Sequence, residues 1–518
     1  MTSSDQPSHD VLSPWLGRGI VFGAGAAMMS MEIAAGRMIA PALGVSLYTW
    51  TSVILAVLIG VGMGNTLGGR MADRFPSRQR LGMTCVGAGF MILLATIFPR
   101  LLDQLVQSSA LDVWIRTLLY AFLVFLPPAC ALALITPQVA KLTLEDLGHT
   151  GRVVGSLGAW NAFGSIIGTY AAGDWLIAFF GTGRLLTLTG GGLMVLGLGL
   201  ARTVAPRRAR IALVGGMFFL GNLLVPSLCL RETSYYCIRV IKGDETGKDG
   251  WILRLDHLIH SYVVPAEPDV LGYSYEQVYA NLLATRFGKD EAFSTFFIGG
   301  GGYVLPRYIN AFYPNASVTV SEIDPEVTEV NRRLLGLSES ANIRSIHRDA
   351  RIALMQDTPD GSFHLVFGDA FNDFSVPYHL TTVEFHRLLK SKMKPDGLYA
   401  MNVIDDADHG QFLAAMIRTL QQVWMFVDVA PQAKDFRNGR NTFVLLASDV
   451  PLDRDAWMHA RPFSETKDED ARASREKNIH LLTQEDITAF LASHVTPALT
   501  DDFAPTDAYL APVFREGY

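Results

Sequence analysis

The stretch Phe293-Ser-Thr-Phe-Phe-Ile298-Gly-Gly-Gly-Gly302-Tyr303 reads as a short apolar strand that runs straight into a glycine turn. Backbone that must approach a ligand without interference from Cβ needs such a turn between a strand and a helix. The layout then repeats. Ser317 to Val320 predicts a second strand ending at Glu322, Ile343 to Ile346 a third ending near Asp349-Ala350, and Phe363 to Phe367 a fourth ending at Asp369. Each strand delivers glycines (Gly299, Gly300, Gly301, Gly302) or an acid to its carboxyl end, the edge at which open parallel α/β sheets bind ligands. Glu322 stands where an acidic residue accepts hydrogen bonds from ribose hydroxyls in nucleotide-binding folds. Leu398 to Val403 continues the sheet and ends at Asp405-Asp406.

Around this core the patterning changes. Tyr235 to Val240 and Gly250 to Val264 alternate apolar and polar residues about Gly243-Asp-Glu-Thr-Gly247, which predicts a small antiparallel β unit. A helix is expected from about Tyr275 to Phe287, and another over Val383 to Lys392 with Thr381 or Thr382 as its N-cap. Arg440 to Ala447 reads as a closing strand, and 463 to 478 as a charged exposed segment.

The first half is different in kind. Apolar runs near 19–43, 47–68, 82–99, 113–136, 153–180, 185–201 and 211–230 are each about long enough to cross a ~30 Å hydrocarbon core, so seven membrane helices are expected. The first run is too long for a cleavable signal peptide and lacks a small-residue cleavage pattern. Gly and Ala within the runs suit close helix contact in lipid. Basic residues concentrate in alternate loops: Arg70, Arg74, Arg78 and Arg80, then Lys141 and Arg152, then Arg202, Arg207, Arg208 and Arg210. The positive-inside rule therefore puts the N-terminus in the cytoplasm of an inner (plasma) membrane and, after seven spans, the soluble half outside it. Glu32, Arg37 and Asp174 are ionisable groups at or near lipid depth, where such groups line cavities, pair, or snorkel to the headgroups. Gly68-Gly69-Arg70-Met71-Ala72-Asp73-Arg74 is similar to one loop of major-facilitator transporters, of which this chain has span count for only half.

Expected boundaries are an N-terminal tail 1–18, a membrane domain 19–230, a small β domain 231–270, the α/β domain 271–450 and a C-terminal extension 451–518. Net charge is −7, with no basic and aromatic block outside short loops, which excludes nucleic acid as a partner. The four cysteines form no CxxC or Cys/His cluster, so no metal site is expected. Cys85 and Cys130 lie in apolar spans. Cys229 and Cys237 flank the junction between the halves and either pair, in an oxidising compartment, or remain free thiols.

The succession from 231 to 450 resembles the spermidine synthase family, the aminopropyltransferases, in which a small β domain precedes a methyltransferase-like Rossmann fold. Leu255-Asp-His-Leu-Ile-His260 is similar to that family's Leu-Asp-Gly-x-x-Gln, Gly299 to Gly302 to its Gly-Gly-Gly-Asp-Gly turn, and Val320-Ser-Glu322-Ile-Asp324 to its Val-Glu-Ile-Asp. Asp349-Ala350 resembles its adenine-meeting pair, Asp369 the first acid of its Asp-Ser-Ser-Asp-Pro motif, and Lys394-Pro-Asp-Gly397 its turn before the fifth strand. Leu499-Thr-Asp-Asp-Phe-Ala-Pro505 is similar to the tail of membrane-fused members. The resemblance implies decarboxylated S-adenosylmethionine or a related adenosyl donor, held by Gly299 to Gly302, Glu322, Asp349, Ala350 and His260. It implies Asp369 as the base that neutralises an amine nucleophile, with Tyr275 beside it, and Asp373 and Asp405 holding the distal ammonium of an amine substrate.

The chain departs from that family in four places, the first being His260 where the family has Gln. Gly302 and Tyr303 replace the acid and glycine of the turn, Asp369-x-x-x-Asp373 is one residue longer than the family spacing, and Tyr275-Glu276-Gln277 replaces Tyr-His-Glu. Two other readings therefore stand beside a membrane-embedded transferase: a catalytically diverged binding or assembly module serving a membrane protein partner or a homo-oligomer, and a transporter half with a regulatory soluble domain. A methyltransferase is the fourth.

Overall fold

A computed structural model of the chain describes residues 11–107, 111, 113–144, 147–201, 205–244, 248–339, 341–370, 376–432, 439–463 and 479–514. It falls into two compact units, Met1–Cys237 and Ile238–Tyr518.

The first unit is helical: α1 (Pro14–Leu43), α2 (Leu47–Arg74), α3 (Arg78–Gln107), α4 (Val113–Ala133), α5 (Ile135–Thr143), α6 (Thr150–Ala171), α7 (Ile177–Phe180), α8 (Thr182–Leu200) and α9 (Ala205–Leu224), closing with strand β1 (Arg231–Glu232). The first helix begins five residues before the expected boundary because Ser13 caps it, its hydroxyl accepting from the Leu16 amide at 3.4 Å, and Pro14 starts its first turn. Among the described residues six helical segments are long and apolar enough to cross a membrane: Pro14–Leu43, Leu47–Arg74, Arg78–Pro99, Trp114–Thr143, Thr150–Phe180 and Thr182–Leu200. The seventh expected segment coincides with α9, whose first turns carry Arg207, Arg208 and Arg210 and which packs on α3 and α8. Glycines set the helix contacts. A Cβ at Gly164 would lie 2.0 Å from the Phe22 carbonyl oxygen, and one at Gly64 2.3 Å from that of Cys130. Only glycine lets α1 meet α6, and α2 meet α4, at this separation.

The ionisable groups of this unit differ in their surroundings. Arg37 donates to the backbone carbonyls of Thr233 and Tyr235, the latter at 2.6 Å. Asp174 is exposed on a π-helical turn (Ala172–Leu176), and Glu32 is half-buried. Asp73 in the last turn of α2 pairs with Lys141 at 3.1 Å, both exposed. Cys229 and Cys237 form a disulfide, so of the two alternatives left by the sequence the structure holds the paired one.

The second unit opens with a small antiparallel meander, β2 (Cys237–Gly243), β3 (Gly250–Leu255) and β4 (Leu258–Val263). Helix α10 (Ser274–Arg286) leads to a seven-stranded sheet built from β5 (Ser294–Ile298), β6 (Ser317–Ser321), β7 (Ile343–Ile346), β8 (Phe363–Gly368), β9 (Met393–Asp406), β10 (Phe426–Pro431) and β11 (Arg440–Ser448). Its order is β10-β11-β9-β8-β5-β6-β7, with β7 to β9 parallel and β11 and β10 antiparallel at one edge. Each expected strand is present, while β10 was not foreseen. The crossover helices α11 (Val304–Phe312), α12 (Pro325–Leu334), α13 (Ala350–Gln356), α14 (Val383–Lys392) and α15 (Phe412–Gln421) cover the sheet. Of the two N-cap candidates for α14 the structure uses Thr382, whose hydroxyl accepts from the Phe385 amide at 3.2 Å.

The C-terminal extension is part of this core rather than an appendage. Ile487, Phe490, Leu499, Leu510 and Val513 are buried with Phe412, Leu413 and Val429 in one cluster. The buried Trp457 indole donates to the Ile479 carbonyl at 2.7 Å.

Candidate active site

β5 and β8 lie side by side, with Ile298 opposite Gly368, so the turns after both strands meet at the carboxyl edge of the sheet. Gly299 adopts φ +94°, and a Cβ there would sit 2.6 Å from the carbonyl oxygen of Asp369. The Gly300 amide donates to Glu322 Oε2 at 2.8 Å, and the Gly302 amide to Ser261 Oγ at 2.8 Å. Glu322 Oε1 accepts from the Asp324 amide at 3.0 Å. Burial pushes the Glu322 carboxyl up, against the pull of these amides. Asp324 in turn caps α12 through the Glu326 amide at 3.0 Å.

Tyr303 stands at φ +53°, a left-handed backbone unusual for a bulky residue, as the first residue of the turn into α11. Its buried hydroxyl bonds to Thr328 Oγ1 at 2.8 Å and Ser345 Oγ at 3.1 Å, and burial raises the phenol to about 12. The ring lies against Gly300, where a Cβ would be 2.7 Å from it. The chain's departure from the family turn therefore puts an aromatic ring under the glycines, in contact with Thr328 and Ser345.

At the end of β8, Asp369 is enclosed. Tyr275 Oη donates to its Oδ2 at 2.9 Å and Asn402 Nδ2 to its Oδ1 at 3.2 Å. Burial raises its carboxyl above the usual range, and the Asn402 and Tyr275 bonds partly offset that. Tyr275 and Tyr279, one helical turn apart on α10, present both phenols to this edge, and Tyr279 Oη donates to the Gly368 carbonyl at 3.4 Å. Tyr273 stacks on Tyr275 at 6.0 Å, and Tyr275 meets Tyr279 edge-on at 5.6 Å. Glu276 is buried beside them and accepts from the Tyr273 amide at 3.0 Å; burial, with the Asp369 charge nearby, pushes it up to about 8. At neutral pH Glu276 is therefore mostly protonated. A carboxylate bounded by tyrosine faces offers an ammonium both a charge partner and aromatic walls.

Asp349 caps α13, its Oδ1 accepting from the Arg351 amide at 2.9 Å and the Ile352 amide at 3.2 Å, and its Oδ2 lies 2.8 Å from His379 Nε2. Ala350 is buried in the first turn of α13.

The remaining expected residues lie elsewhere. Asp405 is fully buried, its oxygens taken by the Leu413 amide at 2.7 Å and the Asp406 amide at 2.9 Å. It braces the turn from β9 into α15, with one backbone amide on each carboxylate oxygen. His260 is the extra residue of a β-bulge, between the pairs Leu253/Ser261 and Arg254/Ile259. Burial lowers its imidazole to about 4, so it is neutral, and the side chain that reaches the glycine turn is its neighbour Ser261. Asp373 lies outside the described residues. Asn402, Tyr279, Ser261 and His379 were missed from the sequence; only Tyr279 carried a signal, its spacing of four from Tyr275.

Asp405 gives a pH dependence. Its carboxyl is pushed up to about 7 by burial, so the folded state favours the protonated form. The stability it contributes is whole below the ordinary carboxylate range and is lost as pH rises through about 7. A displacement of that size is worth on the order of 2–4 kcal/mol. Thermal unfolding in detergent is expected to shift downward between pH 6 and pH 8 in the wild type and distinctly less in Asp405→Asn; equal shifts contradict the assignment.

No family model matches the chain. It is 26% identical over 205 residues to a probable polyamine aminopropyl transferase of Bifidobacterium longum, covering 39% of this chain and 41% of that protein. It is 31% identical over 106 residues to a polyamine aminopropyltransferase of Vibrio vulnificus, covering 20% of this chain and 36% of that one. Over these stretches the chain is similar to polyamine aminopropyltransferases. It spans less than half the length of these curated relatives. The crystal structure of a probable spermidine synthase from Corynebacterium glutamicum is also similar, at 20% identity and a TM-score of 0.44, covering 54% of this chain and 99% of that one.

Proposed function

We propose that this spermidine synthase-like protein is a membrane-integral transferase that moves an aminopropyl group from an adenosyl sulfonium donor, decarboxylated S-adenosylmethionine or a close relative, to a small amine. The observation that carries the reading is the enclosed Asp369, held by Tyr275 and Asn402 beside a glycine turn at the carboxyl edge of a parallel sheet. An amine is protonated at neutral pH and must lose a proton before it attacks. A buried carboxylate with a raised pKa is suited to take it. The amine lone pair then forms the new C–N bond at the carbon beside the sulfonium, the C–S bond breaks, and its electrons leave with neutral methylthioadenosine. Glu322 and the Gly299–Gly302 backbone would hold the ribose side of the donor, and Asp349 with Ala350 the base. Purified protein given decarboxylated S-adenosylmethionine and a panel of diamines is expected to release methylthioadenosine in step with amine consumption. No release with any amine would overturn the transfer.

The reading extends to topology. Helix α9 has 20 residues, about 30 Å at 1.5 Å each, enough to cross, with its arginines at the start. Counting it gives seven spans, and the basic loops then lie in the cytoplasm with the soluble unit outside. The Cys229–Cys237 disulfide supports an oxidising setting for the segment after α9. A cysteine placed at exposed Asp396 should react with a membrane-impermeant maleimide in intact cells or spheroplasts. Labelling only after lysis would put the soluble unit in the cytoplasm and leave α9 uncrossed.

A further inference from the structure

The tail Leu499-Thr-Asp-Asp-Phe-Ala-Pro505 has no part in the chemistry above, yet it is tied tightly to the strand-edge loops. Thr500 and Phe503 exchange backbone hydrogen bonds at 3.0 Å, which fixes the turn that carries Asp501. Arg351 of α13 grips Asp501 with both terminal nitrogens, at 2.8 and 2.6 Å, the bidentate geometry that gives Arg–carboxylate pairs their directionality. Thr382 Oγ1 donates to Asp501 Oδ1 at 2.7 Å, and the Asp501 amide donates to Glu384 Oε2 at 3.0 Å. On either side, the Val383 amide donates to the Leu499 carbonyl at 2.8 Å, and Thr506 Oγ1 to the Val376 carbonyl at 3.2 Å. The segment 376–384 is thereby pinned at several points by the tail.

That segment carries His379. Arg351 Nη1, already bound to Asp501, also donates to the His379 carbonyl at 3.1 Å, and His379 Nε2 lies 2.8 Å from Asp349 Oδ2. Burial alone would raise the Asp349 carboxyl, but the bonds from His379 and from the Ile352 and Arg351 amides outweigh it and hold it below the usual range. Asp349 is thus ionised and accepts, so Nε2 of His379 donates to it, and in the neutral tautomer that this fixes the ring acceptor is Nδ1. With Oδ1 given to the α13 amides and Oδ2 to His379, both carboxylate oxygens are engaged, and the imidazole is the more exposed partner. Its side chain is 35% exposed, and among the described residues Nδ1 makes no hydrogen bond.

We propose that Asp501 straps His379 onto Asp349, and that Nδ1 of His379 accepts a hydrogen bond from the exocyclic amine of the bound purine. The chain would then select a 6-amino purine through an imidazole held by its own C-terminus. This inference rests on the adenosyl reading above.

The test is calorimetric binding of methylthioadenosine and of methylthioinosine, which carries a carbonyl where the amine would be, to full-length protein in detergent. The wild type is expected to prefer methylthioadenosine by about 10- to 100-fold, the range for one unsatisfied buried polar contact. His379→Leu should bring the preference below about threefold, with methylthioinosine affinity little changed. Asp501→Asn should lower the preference several-fold although it touches no ligand. An undiminished preference in His379→Leu would mean that the carboxylate reads the base alone, and an undiminished preference in Asp501→Asn that the tail positions nothing; either overturns the inference while leaving the adenosyl reading intact. Failure of the wild type to bind either nucleoside would overturn that reading and this inference together.

Discussion

Replacing Asp369 by Asn is expected to lower aminopropyl transfer by about 10²- to 10⁴-fold, the usual worth of a positioned general base, while methylthioadenosine binding stays within a few-fold of wild type. The asymmetry follows from the geometry. The Asp369 side chain is held by Tyr275 at 2.9 Å and Asn402 at 3.2 Å, whereas the ligand-facing glycine turn bonds instead to Glu322 and Ser261. The Asn amide fits the same space but cannot accept a proton from an ammonium. Full activity in Asp369→Asn would remove the base. A parallel loss of nucleoside binding would mean that the residue shapes the pocket rather than serving the amine.

Gly299→Ala is expected to have a large structural effect on this unit. The position combines φ +94° with a Cβ site 2.6 Å from the Asp369 carbonyl oxygen and 3.2 Å from its carbonyl carbon, all backbone. Side-chain rotation cannot relieve that contact, so the turn after β5 or the turn after β8 must move. Strain and clash together should cost roughly 2–4 kcal/mol. Because the two turns that separate are those carrying the glycines and Asp369, nucleoside binding should be lost as well. Gly361→Ala is the matched control, with φ +63° and open space around its Cβ; it should cost about 1 kcal/mol and leave binding intact. Equal effects at the two positions would refute the close approach.

Much of this was legible in the sequence because it is local. Short apolar runs ending in glycine or an acid predict parallel strands and their ligand edge, and β5 to β9 lie where those runs are. Asp369 and Tyr275 could be named from that pattern and from resemblance, and the structure brings them within hydrogen-bonding distance. Asp405 has a bracing role that the sequence did not show, for a physical reason. An acid at a strand end is also an acid before a helix, and the amide of Leu413 at the start of α15 claims it. Ser261 was missed beside His260 because a bulge, invisible in composition, puts Ser261 against the glycine turn. Asn402 and His379 act through partners 33 and 30 residues away, and no window of sequence brings such pairs together. The same is true of Asp501, 150 residues from Arg351.

The helical unit was legible for a different reason: long apolar runs predict long apolar helices, and the glycines that let α1 and α6 touch are visible as composition before they are visible as contacts. Only α9 is ambiguous on this criterion, because its arginines lie inside the helix rather than before it.

The claim on which the rest depends is that the carboxyl edge of the sheet holds an adenosyl ligand. Calorimetry on the detergent-purified full-length chain with decarboxylated S-adenosylmethionine, S-adenosylmethionine and methylthioadenosine tests it most directly. Saturable binding of at least one, weakened at least tenfold by Glu322→Ala, is the predicted result; no binding of any of the three by the folded wild-type protein would contradict it.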